Sequence, residues 1–200
     1  MRYIICALML ALAACAKSAP DAPQVVMKTS EGSITLELYP EKAPATVENF
    51  LRYVDEGAYN GSYIYRTTRA DNDPMITIIQ GGLWAPWRDG LDEDYEPQHP
   101  TVIHETTKLS GLSHTDGVIS MARMEPGTAS SEFFISIGDN TALDFGGARN
   151  PDGQGFAAFG RVVDGMDVVR AINTEPVAEG EGFAGQILAA PVEIISVSRK

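Results

Sequence analysis

Residues 117 to 138, GVISMARMEPGTASSEFFISIG, hold the side chains best placed to form a binding site. Two alternating apolar runs, Val118-Ile119-Ser120-Met121-Ala122 and Phe133-Phe134-Ile135-Ser136-Ile137, flank a polar segment, the pattern of two strands and a loop. With Met121 and Phe134 facing one cavity and Arg123 and Glu132 at its rim, the segment offers an apolar floor with a few polar groups. That suits a small-ligand or peptide site. Other chemistries fit poorly. His99, His104 and His114 lack metal-ligand spacing, and no cysteine of the folded body joins them, so no metal site is expected. The acidic run Asp89 to Asp94 lacks the glycine and the distal glutamate of a calcium loop. Gly146-Gly147 and Gly153-Gln154-Gly155 open no helix that would cradle phosphate, and no serine stands in a nucleophile elbow. By pattern alone Arg66 is a solvated charge on a strand, and Phe134, Met121, Leu143 and Phe156 all fit plain core positions; Met121 is read as core and Phe134 as pocket.

The elements that must position such a site follow from periodicity. Val25 to Thr29 and Ile34 to Leu38 alternate around Ser30-Glu31-Gly32 and predict a hairpin with one buried face. Val47, Phe50, Leu51 and Val54 fall at helical spacing behind Pro44, with Gly57 just past the end. Strands are expected over Tyr63 to Arg66 and Met75 to Gly82, the second ending in a glycine pair that permits close approach or a positive φ. Residues 83 to 116 read as a long loop with little regular structure. Residues Phe156 to Val163 form a strand, a second helix starts at Asp164, and Val192 to Val197 is a closing strand. Many short strands and two helices, without strand-helix alternation, argue for a closed antiparallel barrel rather than a parallel sheet.

The chain has 200 residues and a formal charge of −12. That length fits one domain, and that sign repels phosphate backbones, so nucleic acid is not an expected partner. Met1-Arg2, an apolar run from Tyr3 to Leu12 and Ala13-Ala14 have the form of an export signal over residues 1–14. Leu12-Ala13-Ala14-Cys15 resembles a bacterial lipobox, which implies lipid on Cys15, a membrane anchor and a periplasmic location; Ala14-Cys15-Ala16 also fits ordinary cleavage. Residues 15–23 read as a tether and 24–200 as the domain. Cys6 and Cys15 both precede that domain, so it holds no internal disulfide.

Several motifs in series carry a family resemblance: Ala43-Pro44-Ala45-Thr46-Val47-Glu48-Asn49-Phe50, Tyr65-Arg66, Ile79-Gln80-Gly81-Gly82, Gly117 to Ala122, Ser131-Glu132-Phe133-Phe134-Ile135, Leu143-Asp144 and Phe159 to Met166. From Val25 to Val197 the chain resembles the cyclophilin-type peptidyl-prolyl cis-trans isomerases. The resemblance implies a closed eight-stranded antiparallel barrel capped by two helices, working as a monomer without cofactor or metal on proline-containing peptides or unfolded exported proteins. It implies Arg66 and Gln80 as catalytic residues, with substrate held by Ile78, Ala122, Arg123, Glu132, Phe134, Leu143 and Phe156. Four positions depart from the family pattern: Thr77 replaces an aromatic residue, Glu132 a glutamine, Arg123 an asparagine and Ala142 a tryptophan. An ionised Glu132 is expected to pair with Arg66 and either orient it or hold it away from substrate. The alternative is a catalytically weak module that only grips proline-containing segments.

Overall fold

A computed structural model describes residues 22–84, 97–180 and 182–200. Strands β1 (Gln24–Thr29), β2 (Gly32–Leu38), β3 (Ser62–Thr68), β4 (Ile78–Gly82), β5 (Val118–Met121), β6 (Phe133–Ser136), β7 (Ala157–Asp164) and β8 (Ile187–Arg199) close into a barrel in the order β1-β2-β7-β5-β6-β4-β3-β8. Every pairing is antiparallel. Closure leaves no edge among the described strands to be covered. Helix α1 (Pro44–Asp55) packs on β8 and β7, and α3 (Met166–Thr174) on β2, β4 and β3. A single turn, α2 (Thr107–Ser110), interrupts the segment expected to be irregular.

Alternation along the strands fills the interior with Ile34, Leu36, Ile64, Ile79, Ile119, Phe133 and Phe159, and α1 adds Val47, Phe50 and Val54 to the same cluster. Phe50 meets Phe133 edge-on at 6.1 Å. No side chain at Ala43 caps α1; the carboxylate of Glu105 accepts from Ala45 N at 3.2 Å and Thr46 N at 2.8 Å instead. An anion at a helix start satisfies otherwise orphaned amides and opposes the dipole.

Two differences from the sequence pattern shape the site. The run Met75 to Gly82 is strand only from Ile78, because Met75 to Thr77 are held by side chains: Met75 N donates to Asp73 Oδ1 and Thr77 N to Asn140 Oδ1. The closing strand begins at Ile187, five residues before the expected Val192, and there Ile187 pairs with Arg66. Met121 lies in the barrel core, in keeping with its reading as a core residue; it sits opposite Phe133, whereas Phe134 sits opposite Ser120 and faces outward.

Candidate active site on the outer face of the barrel

A second apolar cluster, separate from the core, lies outside the sheet: Ile76, Ile78, Phe134 and Leu143, with Ala122 and Phe156 against it. Strand parity puts Ile78 and Gln80 of β4 on this face while Ile79 points inward. Phe134 is central. Phe156 meets it edge-on at 5.3 Å, and the His114 ring stacks behind it at 5.7 Å. His114 is wholly buried and fixed through both nitrogens, with Nδ1 2.6 Å from Asp144 Oδ1 and Nε2 3.0 Å from Ser120 Oγ. Leu143 sits on a 3-10 turn (Thr141–Leu143), and its carbonyl accepts from Phe156 N at 3.0 Å, tying two walls together.

Arg66 and Tyr65 reach this face together because β3 bulges. Ile64 pairs with Gly81 and Arg66 with Gln80, so two residues of β3 oppose one of β4. A bulge of this kind re-aims a side chain that strict alternation would turn inward. Gln80 bridges the two: its Oε1 accepts from Arg66 Nη1 at 2.6 Å and its Nε2 donates to Tyr65 OH at 2.9 Å. Tyr65 OH in turn donates to Glu132 Oε2 at 2.7 Å. Burial and the neighbouring Glu132 charge push the Tyr65 phenol well above its ordinary value.

The expected Glu132–Arg66 pair is absent. Glu132 accepts from Leu83 N at 2.7 Å, Trp84 N at 3.0 Å and Ser131 Oγ at 3.2 Å, so its carboxylate anchors the chain leaving β4. Gly82 makes room for this, and Gly81 for the close approach of β3. A Cβ on Gly82, whose φ is +155°, would lie 2.3 Å from Glu132 Oε1, and one on Gly81 2.7 Å from Tyr63 O. Burial outweighs these hydrogen bonds and holds the Glu132 carboxyl at about 7.

Arg66 is half-buried, and burial pulls its guanidinium down to about 10, so it is charged at neutral pH. Among the described residues its acceptors are two neutral amides, Gln80 and Gln186. Arg66 and the apolar cluster line one cleft of about 840 Å³, together with Trp84, Ala122, Arg123, Glu132 and Arg149. Arg123 does not extend into it as a free polar group. Its guanidinium grips Asp152 at 2.8 and 3.0 Å and Gly155 O at 2.6 Å and lies over the Phe156 ring at 5.1 Å. Ala122 N is already engaged with Glu132 O at 2.8 Å.

Of the departing positions, Thr77 makes backbone bonds with Asn140, and Ile76, one residue earlier, fills the apolar wall. Trp84 lines the cleft; Trp87 lies outside the described residues. Sequence reasoning missed Ile76, Tyr65, Arg149, Phe183 and Gln186. Only Tyr65, adjacent to Arg66 in a quoted motif, had a signal of its own.

Residues 24–199 match the family model described as cyclophilin type peptidyl-prolyl cis-trans isomerase. The chain belongs to this family. This cyclophilin is 36% identical over 177 residues to a peptidyl-prolyl cis-trans isomerase of Acinetobacter baylyi, covering 88% of this chain and 85% of the relative. It is also 36% identical over 149 residues to peptidyl-prolyl cis-trans isomerase B of Escherichia coli, covering 74% and 81%. A solved cyclophilin type isomerase of Cryptosporidium parvum superposes with a TM-score of 0.67 at 20% identity, over 90% of this chain and 98% of that one. The likeness is one of fold. The family membership makes this protein a peptidyl-prolyl cis-trans isomerase.

Proposed function

We propose that this cyclophilin turns X-Pro bonds in exported proteins at the cleft beside Arg66 and so assists their folding. Rotation faces a barrier of about 18–20 kcal/mol because resonance makes the C–N bond partly double. It calls for no nucleophile, only surroundings that favour the twisted amide over the planar one. In the twisted state the prolyl nitrogen regains a lone pair. The observation that carries the reading is a charged guanidinium, held by neutral acceptors, in the same cleft as an apolar pocket. Ile76, Ile78, Phe134 and Leu143 grip the proline ring while Arg66 donates to the developing lone pair.

A hydrogen bond from a charged donor contributes about 1.5–3 kcal/mol, and each tenfold in rate requires about 1.4 kcal/mol. Arg66 therefore supplies about one to two decades. Gln80 orients it, and the remainder comes from desolvating the amide and from the grip on the ring. The test is exchange spectroscopy on a short Ala-Pro peptide with wild type and Arg66→Ala. We expect a loss of about one to two decades; equal rates would leave only a module that binds proline-containing segments.

Residues 1–14 act as an export signal in this reading, and lipid on Cys15 tethers the domain to a bacterial membrane facing the periplasm. The sequence Leu12-Ala13-Ala14-Cys15 supports it. Mass spectrometry of the mature N-terminus reads the modification directly. Cys15→Ser is expected to move the protein from the membrane to the soluble fraction, and unchanged fractionation would count against the anchor.

A further inference from the structure

The connector between α3 and β8 carries a 3-10 turn, Ala184–Gln186, that comes back over Arg66 from 120 residues further along the chain. Gln186 is 6% exposed. Its Oε1 accepts from Arg66 Nε at 2.9 Å and Nη2 at 2.5 Å, on the guanidinium edge away from Gln80. Its Nε2 donates to Asn72 O at 3.2 Å, which settles which end of the amide faces the arginine. Asn72 is fixed in turn, donating to Thr67 O and Gly185 O and accepting from Arg69 N. Phe183 covers the guanidinium face with its centroid 4.9 Å from Cζ and packs on Trp84 at 5.7 Å.

We infer that Gln186, with Phe183, is a positioning residue that fixes the plane of the Arg66 guanidinium and leaves a donor on each terminal nitrogen for the prolyl amide. A guanidinium has five N–H donors. Two glutamine oxygens take three of them, on Nε, Nη1 and Nη2. Among the described residues, one N–H on Nη1 and one on Nη2 are left without an acceptor. A free arginine side chain carries much rotamer entropy, and an aligned one meets the twisted amide without having to be ordered first. The neutrality of both acceptors matters too. A carboxylate at 186 would engage the fork more strongly and spend the charge that the lone pair needs, whereas an amide holds the group and leaves its charge available. Among the described residues no carboxylate is ion-paired with Arg66.

The inference rests on Arg66 being the group that touches the prolyl amide. Gln186→Met keeps the length and removes the acceptor. In the full chain, measured by exchange spectroscopy against an Ala-Pro peptide, kcat is expected to fall about tenfold while KM stays within about twofold, the equivalent of one hydrogen bond. The Arg66 Nε–H resonance is expected to lose its protection from solvent exchange. Unchanged kcat, or a raised KM with kcat retained, overturns the inference. If Gln186→Met does not fold, Gln186→Asn, which draws the acceptor back by one methylene, is read for the same split. A wild type that leaves the peptide at its uncatalysed rate would sink the isomerase reading alone; persistent Nε–H protection in Gln186→Met would sink the clamp alone.

Discussion

Glu132 and Arg66 do not touch: Gln80 and the Tyr65 hydroxyl stand between them in a chain of hydrogen bonds of 2.6, 2.9 and 2.7 Å. The acid that replaces the usual glutamine therefore acts on Arg66 at two removes. Its direct contacts are with Tyr65, Ser131 and the backbone of Leu83 and Trp84.

Tyr65→Phe cuts this chain without altering the wall. Gln80 Nε2 loses its acceptor and Glu132 Oε2 a donor, which costs about 1–3 kcal/mol for buried groups. We expect a lower urea midpoint and a several-fold fall in kcat. Wild-type kinetics in the phenylalanine variant would show that Gln80 needs no support from behind.

Glu132 makes the site sensitive to pH. Its folded value of about 7 stands above the ordinary 4.5, so the folded chain keeps a proton that the unfolded chain gives up between these values. Its contribution to stability is full below pH 4.5 and is lost as pH rises through 7, on the order of 3 kcal/mol in all. Activity runs the other way. Below pH 7 the protonated carboxyl becomes a donor and competes with Tyr65 OH, which already accepts from Gln80. We expect kcat/KM to fall from pH 8 to 6 in wild type and stay level in Glu132→Gln; parallel profiles would remove Glu132 from the pH dependence.

Phe134 is 2% exposed and touches both Phe156 and His114. Burying an apolar side chain contributes about 1.5–3 kcal/mol. Phe134→Ala is expected to weaken peptide binding at least tenfold, read as KM or by peptide titration. Affinity within twofold of wild type would place the proline ring elsewhere.

Arg123 holds the loop that ends in Phe156, so Arg123→Ala is expected to act through KM, by about threefold, with kcat unchanged. Amide exchange at Gly155 and Phe156 should rise in the same variant. A fall in kcat with the loop still protected would assign Arg123 to the peptide instead.

The barrel was legible because it follows local periodicity, whereas the apolar wall was implied only by the family resemblance. Val25 to Leu38 alternates, Val47 to Val54 keeps helical spacing, and Gly81-Gly82 announces a close approach. What stayed hidden depends on pairing between distant segments. The bulge at Tyr65 exists only relative to β4, and Gln186 lies in a glycine-rich stretch with no pattern of its own. Ile76 escaped because it precedes β4, where side chains rather than ladder bonds set the backbone and strand parity no longer applies. Glu132 invited pairing with Arg66, the arginine that the resemblance made catalytic; the amides of Leu83 and Trp84, invisible as side-chain chemistry, claimed it instead.

The last strand pairs with both β1 and β3, and the turn just before it reaches Arg66. During synthesis the arginine emerges long before these partners do. The guanidinium therefore gains its Gln186 clasp only as the barrel closes, so completing the fold and ordering the site are one event.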